Sequence, residues 1–179
     1  MILAAALAAA ASTSGCILRR EAPALVAADP AVVADTQAYV AAAAASDLFE
    51  ITTSQLALQR TQNSEVRAYA TALIAHHTMT SNAALVAARS AGATPPPPVL
   101  SEEKLALVQQ LQSQVGFDFD RAYIDGQLPS HAQALELHSR YRRSGAEPRL
   151  RRTAAAAVPV VIEHFEQARR LQGRLAAGL

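Results

Sequence analysis

Tryptophan is absent from the 179 residues, cysteine occurs once, and aromatic residues amount to only 4%. A single cysteine cannot close an internal disulfide, so no disulfide framework holds this fold. The shortage of aromatics removes residues that strands favour. Neither sign of charge dominates: the formal net charge is +1, which gives no global reason to expect nucleic acid or an acidic partner. No Gly-rich phosphate loop, nucleophile elbow or zinc-finger spacing occurs, and no residue is assigned a catalytic role. What fills the chain instead is alanine. Hydrophobic residues make up 51%, and much of that is Ala, the best helix former. A chain of this length suits one domain with its own core, and the composition makes that domain all-α.

The first 34 residues read differently from the rest. Ile2 to Ala11 form an unbroken apolar run, too short for a permanent membrane span but suited to a signal peptide. Small residues then lead into Cys16, which resembles a bacterial lipoprotein processing site, where the cysteine becomes the lipidated first residue. The alternative is an ordinary cleaved signal with an incidental cysteine. Residues 1–16 are therefore read as a signal peptide and 17–34, with Pro23 and Pro30, as a tether. This reading places the protein outside the cytoplasm, in the periplasm or on the periplasmic face of the outer membrane. Its partner there is the membrane, reached through the N-terminal lipid.

From Asp35 to residue 176 the pattern is helical. A first helix is expected to about Gln62, with Asn63 or Ser64 capping a second that Gly92 and Pro95–Pro98 terminate. A short amphipathic piece runs from Ser101 to about Val115. A third long helix spans Phe117 to Arg143, and a fourth opens at Pro148 and continues to about Leu175. Short turns make antiparallel hairpins of helices one and two and of helices three and four. The long connection between the hairpins suits a crossover that travels the length of a four-helix bundle, the ferritin-like arrangement; up-down-up-down with a decorated loop is the alternative.

Stepping by threes and fours traces the core stripes. The second helix gives Val66, Ala70, Leu73, His77, Thr80 and Ala84. The third gives Phe117, Ile124, Leu128, His131, Leu135 and His138, and the fourth Leu150, Ala154, Ala157, Val161, His164 and Ala168. Mid-helix positions share one height in a bundle, so His77, His131 and His164 converge. The first helix adds Asp47 on its stripe and Glu50 on its flank. A carboxylate among imidazoles inside an apolar bundle is expensive unless the groups satisfy one another. One transition-metal ion does this, and so does a hydrogen-bonded network that fixes helix register. The residues three before His77, His131, His138 and His164 are Ile74, Leu128, Leu135 and Val161, which argues against a two-metal carboxylate centre. His76, Gln127 and Tyr123 rank lower as contributors. Six arginines, Arg140, Arg142, Arg143, Arg149, Arg151 and Arg152, bracket the last turn. They read as a solvated loop or, with a parallel crossover, as a surface beside the tether that meets anionic headgroups.

Taken in order, several stretches resemble one bacterial family. Ala45-Ser46-Asp47-Leu48-Phe49-Glu50-Ile51, Val66-Arg67-Ala68-Tyr69-Ala70 and His77-Thr78 are similar to its first hairpin. Phe119-Asp120-Arg121-Ala122-Tyr123, Gln127, His131, Pro159 and His164 are similar to its second. The family is the ferritin-like domain of unknown function numbered 4142, described as a predicted outer-membrane protein, and the resemblance covers about residues 35–175. It implies a ferritin-like bundle, export and frequent lipid anchoring, but no reaction. The family's motif falls on Glu50, His77, His131 and His164, which favours Glu50 over Asp47. His76 stands where many members carry Asp. Two functions follow as expectations: an envelope protein with one metal ion in the bundle core, or a non-catalytic envelope lipoprotein serving as a structural or interaction module.

Overall fold

A computed structural model describes residues 30–178, and every regular element among them is an α-helix. The order is α1 (Pro30–Arg60), α2 (Ser64–Ser90), α3 (Glu102–Ser113), α4 (Gly116–Ser144) and α5 (Pro148–Ala176). The signal peptide, Cys16 and residues 17–29 of the tether lie outside the described residues. The tether reading fails at its far end, because α1 begins at Pro30 rather than Asp35. A proline has no N–H to leave unbonded in a first turn, so it opens a helix as readily as it ends one.

Local signals fix most of the other boundaries. The Asn63 side chain accepts the N–H groups of Glu65 and Val66, and Ser101 accepts that of Lys104. Gly92, at φ 77°, follows α2 in the left-handed region that favours glycine. Glu147 caps α5 with its carboxylate on the Leu150 N–H at 2.8 Å. Pro129 and Pro159 lie inside α4 and α5 at exposed positions, so the bond each one removes falls on the solvent side.

Side-chain pairs give the helix directions. Tyr39 meets His138 and Ser54 meets Tyr123, so α1 and α4 are antiparallel neighbours. His76 meets His164 and Glu65 meets Arg174, so α2 and α5 are too. With the hairpins α1–α2 and α4–α5, this leaves α2 and α4 on a diagonal and pointing the same way. The connection between them runs back along α1. Gln37 holds the Thr94 carbonyl near its start, Lys104 of α3 stacks over Phe49 midway, and Arg60 holds the Gln114 carbonyl at its end.

Two apolar clusters fill the bundle. One gathers Tyr69, Leu73, Phe119, Tyr123, Ile124 and Leu171 around the α1–α2 turn end. The other packs Tyr39, Val40, Ala84, Ala88, Tyr141, Leu150 and Ala154 at the opposite end. Between them lies a polar belt. Phe117, expected on the core stripe, is 48% exposed, because the first turn of α4 faces the core with the side that carries Phe119 and Asp120. Phe119 takes the buried place.

Candidate metal centre

The belt is built by helical phase. On α2, Val66, Ala70, Leu73, His77 and Ala84 share the buried face, so an imidazole stands where the pattern otherwise places an aliphatic side chain. The same logic buries His131 on α4 and His164 on α5. Asp47 and Glu50, three apart on α1, also share a face and are both buried, Glu50 at 0% exposure.

The three imidazoles form a nearly equilateral triangle. Ring centroids are 5.7 Å apart for His77 and His131, 5.2 Å for His77 and His164, and 5.5 Å for His131 and His164. One nitrogen from each lies within 4.8 Å of the others. Hydrogen bonding decides which nitrogen each ring presents. The Gln127 carbonyl can only accept, so the His131 bond at 2.8 Å fixes the proton on Nδ1 and leaves Nε2 bare. Asp47 does the same for His77, taking its Nδ1–H at 2.8 Å and turning Nε2 toward Glu50 Oε2 at 3.0 Å. That 3.0 Å approach lacks hydrogen-bond geometry: His77 Nε2, both Glu50 oxygens, His131 Nε2 and His164 Nδ1 are all buried without a hydrogen-bond partner. His164 Nε2 pairs with His76 Nδ1 at 2.8 Å, which aims Nδ1 into the belt. Its ring stacks on that of His76.

Burial dominates the electrostatics. It pushes the Glu50 carboxyl up to about 7, with His77 and Lys104 pulling the other way. It drives His131 down to about 4, and His164 to about 3 with help from the neighbouring imidazoles. Burial also opposes charge on His77, but Glu50 and the bond to Asp47 outweigh it, and its pKa is raised. Two neutral imidazoles, one imidazole drawn toward the cationic form and a carboxyl that gives up its proton near neutrality make a set of bases held ready for a cation.

A family model for a domain of unknown function, DUF4142, matches residues 21–171. The chain belongs to the DUF4142 family. No curated protein and no solved structure matches it. In this DUF4142 chain His77, His131 and His164 form one group of possible donors and Asp47, Glu50 and His77 a second, the two sharing His77. Asp47 belongs to the same belt in a different capacity. Its two oxygens are hydrogen-bonded to His77 and to the Ser81 hydroxyl, so it orients a ring, whereas the Glu50 oxygens accept no hydrogen bond.

Three other residues take places that sequence reasoning missed or ranked low. His76 is the partner of His164, and only the approach of α5 to α2 reveals it. Gln127 supports the belt twice: its carbonyl holds His131 and its side-chain amide donates to Thr53 Oγ1 at 2.9 Å. Tyr123 is fully buried and shares a hydrogen bond with Ser54. His138, though inward, is not part of the set. It lies two turns beyond His131, about 10 Å along the helix axis, and pairs with the Tyr39 hydroxyl at 2.9 Å.

Proposed function

We propose that this DUF4142 chain binds one divalent transition-metal ion inside the bundle, through Glu50, His77 Nε2, His131 Nε2 and His164 Nδ1. The observation that carries the reading is the set of buried donor atoms without a hydrogen-bond partner, which four helices bring into two groups that share His77. Leaving them so costs about 1–3 kcal/mol for each polar group. A metal–nitrogen distance of about 2.0–2.1 Å asks only for a modest closing of the triangle. Charge also fits: with the imidazoles neutral, a divalent cation balances the Glu50 and Asp47 carboxylates in a region that tolerates no net charge. Nitrogen and carboxylate donors without thiolate suit zinc, iron, cobalt or nickel. One ion is the fitting number, since both Asp47 oxygens are hydrogen-bonded and Glu50 is the carboxylate of the belt whose oxygens accept no hydrogen bond.

The helix directions support a ferritin-like bundle, and the apolar run before Cys16 supports export and lipid anchoring. Surface cavities of about 400, 440, 310 and 300 Å³ are lined by none of the four proposed ligand residues. An enclosed ion held by protein groups alone suits helix locking, metal holding or one-electron exchange better than conversion of an organic substrate.

Titration of the chelator-treated protein with cobalt(II) tests the reading. Ligand-field bands that saturate at one equivalent, and that vanish when His131 and His164 are both replaced by alanine, are the expected result. Bands that never develop, or that persist in the double variant, would leave the belt as a hydrogen-bonded network in a non-catalytic envelope lipoprotein.

A further inference from the structure

The end of the bundle at the α4–α5 turn carries the six arginines Arg140, Arg142, Arg143, Arg149, Arg151 and Arg152. Those closing α4 suit its dipole, but those opening α5 oppose its positive end, and no acidic residue accompanies them in that first turn. The carboxylates at hand are already committed, Asp35 to the Ala146 N–H at 2.9 Å and Glu147 to the Leu150 N–H at 2.8 Å. Arg151 donates to the Gly145 carbonyl at 2.7 Å. Among the described residues none of the six has an ion-pair partner, whereas at the opposite end Arg174 meets Glu65 at 2.9 Å. Charge concentrated against a helix dipole with nothing inside the molecule to answer it calls for an anion outside.

The Asp35–Ala146 bond fixes where that surface lies. It sets the arginine turn beside the first turns of α1, so the chain preceding Pro30 leaves from the same end. Thirteen residues, 17–29, separate Cys16 from α1. At about 3.5 Å each they span at most ~45 Å, so a lipid on Cys16 holds this end of the bundle nearer to a bilayer than the opposite end. We propose that the arginine end of the bundle docks on the anionic headgroups of a lipid bilayer. An apolar run and a cysteine in the sequence that precedes α1 favour a membrane over a nucleic acid. The inference shares the anchoring expectation with the reading above but is independent of the metal.

Co-sedimentation of the full chain with vesicles tests it, using phosphatidylcholine alone against an equimolar mixture with phosphatidylglycerol. The parent is expected to prefer the mixed vesicles and to lose that preference as salt rises. Replacing Arg142, Arg143, Arg149 and Arg152 by Gln weakens binding to the mixed vesicles by about fivefold per arginine. The same change at Arg169 and Arg170 leaves it unaltered. Helix content and cobalt uptake stay constant in both variants, which separates this outcome from a failure of the metal site or of folding. Equal binding to both vesicle types, retained binding by the fourfold variant, or displacement of the parent from vesicles by single-stranded DNA would overturn the proposal.

Discussion

Asp47 and Glu50 sit three residues apart on one buried face, yet their surroundings give them different work. Asp47 is hydrogen-bonded by His77 and Ser81, while neither Glu50 oxygen accepts a hydrogen bond, Oε2 lying 3.0 Å from His77 Nε2. Glu50→Gln therefore removes a ligand and is expected to abolish stoichiometric cobalt binding. Asp47→Asn keeps one equivalent but lowers affinity about 10- to 100-fold, the usual effect of losing a residue that orients a ligating imidazole. Competition with a chromophoric chelator measures both. His76→Ala belongs with Asp47→Asn, because without His76 nothing holds His164 with Nδ1 inward. The metal-free protein also has a pH signature. His131 titrates near 4 in the fold and near 6.5 when unfolded, so its contribution is intact above 6.5 and is lost as pH falls toward 4. The loss is on the order of 3 kcal/mol. Glu50, raised to about 7, acts in the opposite sense, its penalty easing as pH falls from 7 to its unfolded value. The two are separated by comparing urea unfolding of the metal-free parent with His131→Leu. The variant is expected to lose less stability between pH 6.5 and 4.5, and an identical loss in both would contradict the assignment.

At the scale of the helices, the turns test the packing. Gly145 is buried, and a Cβ there would run into the Tyr141 ring, which is stacked on Tyr39 at 3.8 Å and has little room to yield. Gly145→Ala is expected to cost about 1–3 kcal/mol by overpacking, read as a lower thermal midpoint. Asn63→Ala removes the cap of α2 and costs about 1 kcal/mol. These elements also show what the sequence could and could not disclose. Periodicity fixed the phase of α2, α4 and α5, so His77, His131 and His164 were legible as inward and level. Phase averaged over a helix does not say which side its first turn buries, and so Phe117 stands exposed where the stripe put it inward. Pro30 carried a signal that reads equally as a break or a start. The partner of His76 depends on how close α5 comes to α2, a tertiary fact with no local trace. Which of Asp47 and Glu50 keeps oxygens without a hydrogen bond depends likewise on Ser81, 34 positions from Asp47.

The described residues form two apolar cores with a polar belt between them, and the belt takes a side chain from each of the four long helices. Aliphatic side chains at those places would complete a continuous core, so the belt weakens the bundle, and on the proposed reading a bound ion would offset that loss. Binding to the folded state alone stabilises it by mass action, about 2.7 kcal/mol at a hundredfold excess over the dissociation constant. The thermal midpoint should therefore rise with added metal in the parent and stay put in the His131 and His164 variants. The most direct test is elemental analysis of the untagged protein purified without chelator. The account predicts close to one equivalent of a transition metal in the parent and almost none once His131 and His164 are replaced by alanine. Less than a tenth of an equivalent in the parent, or the same content in the double variant, would contradict it.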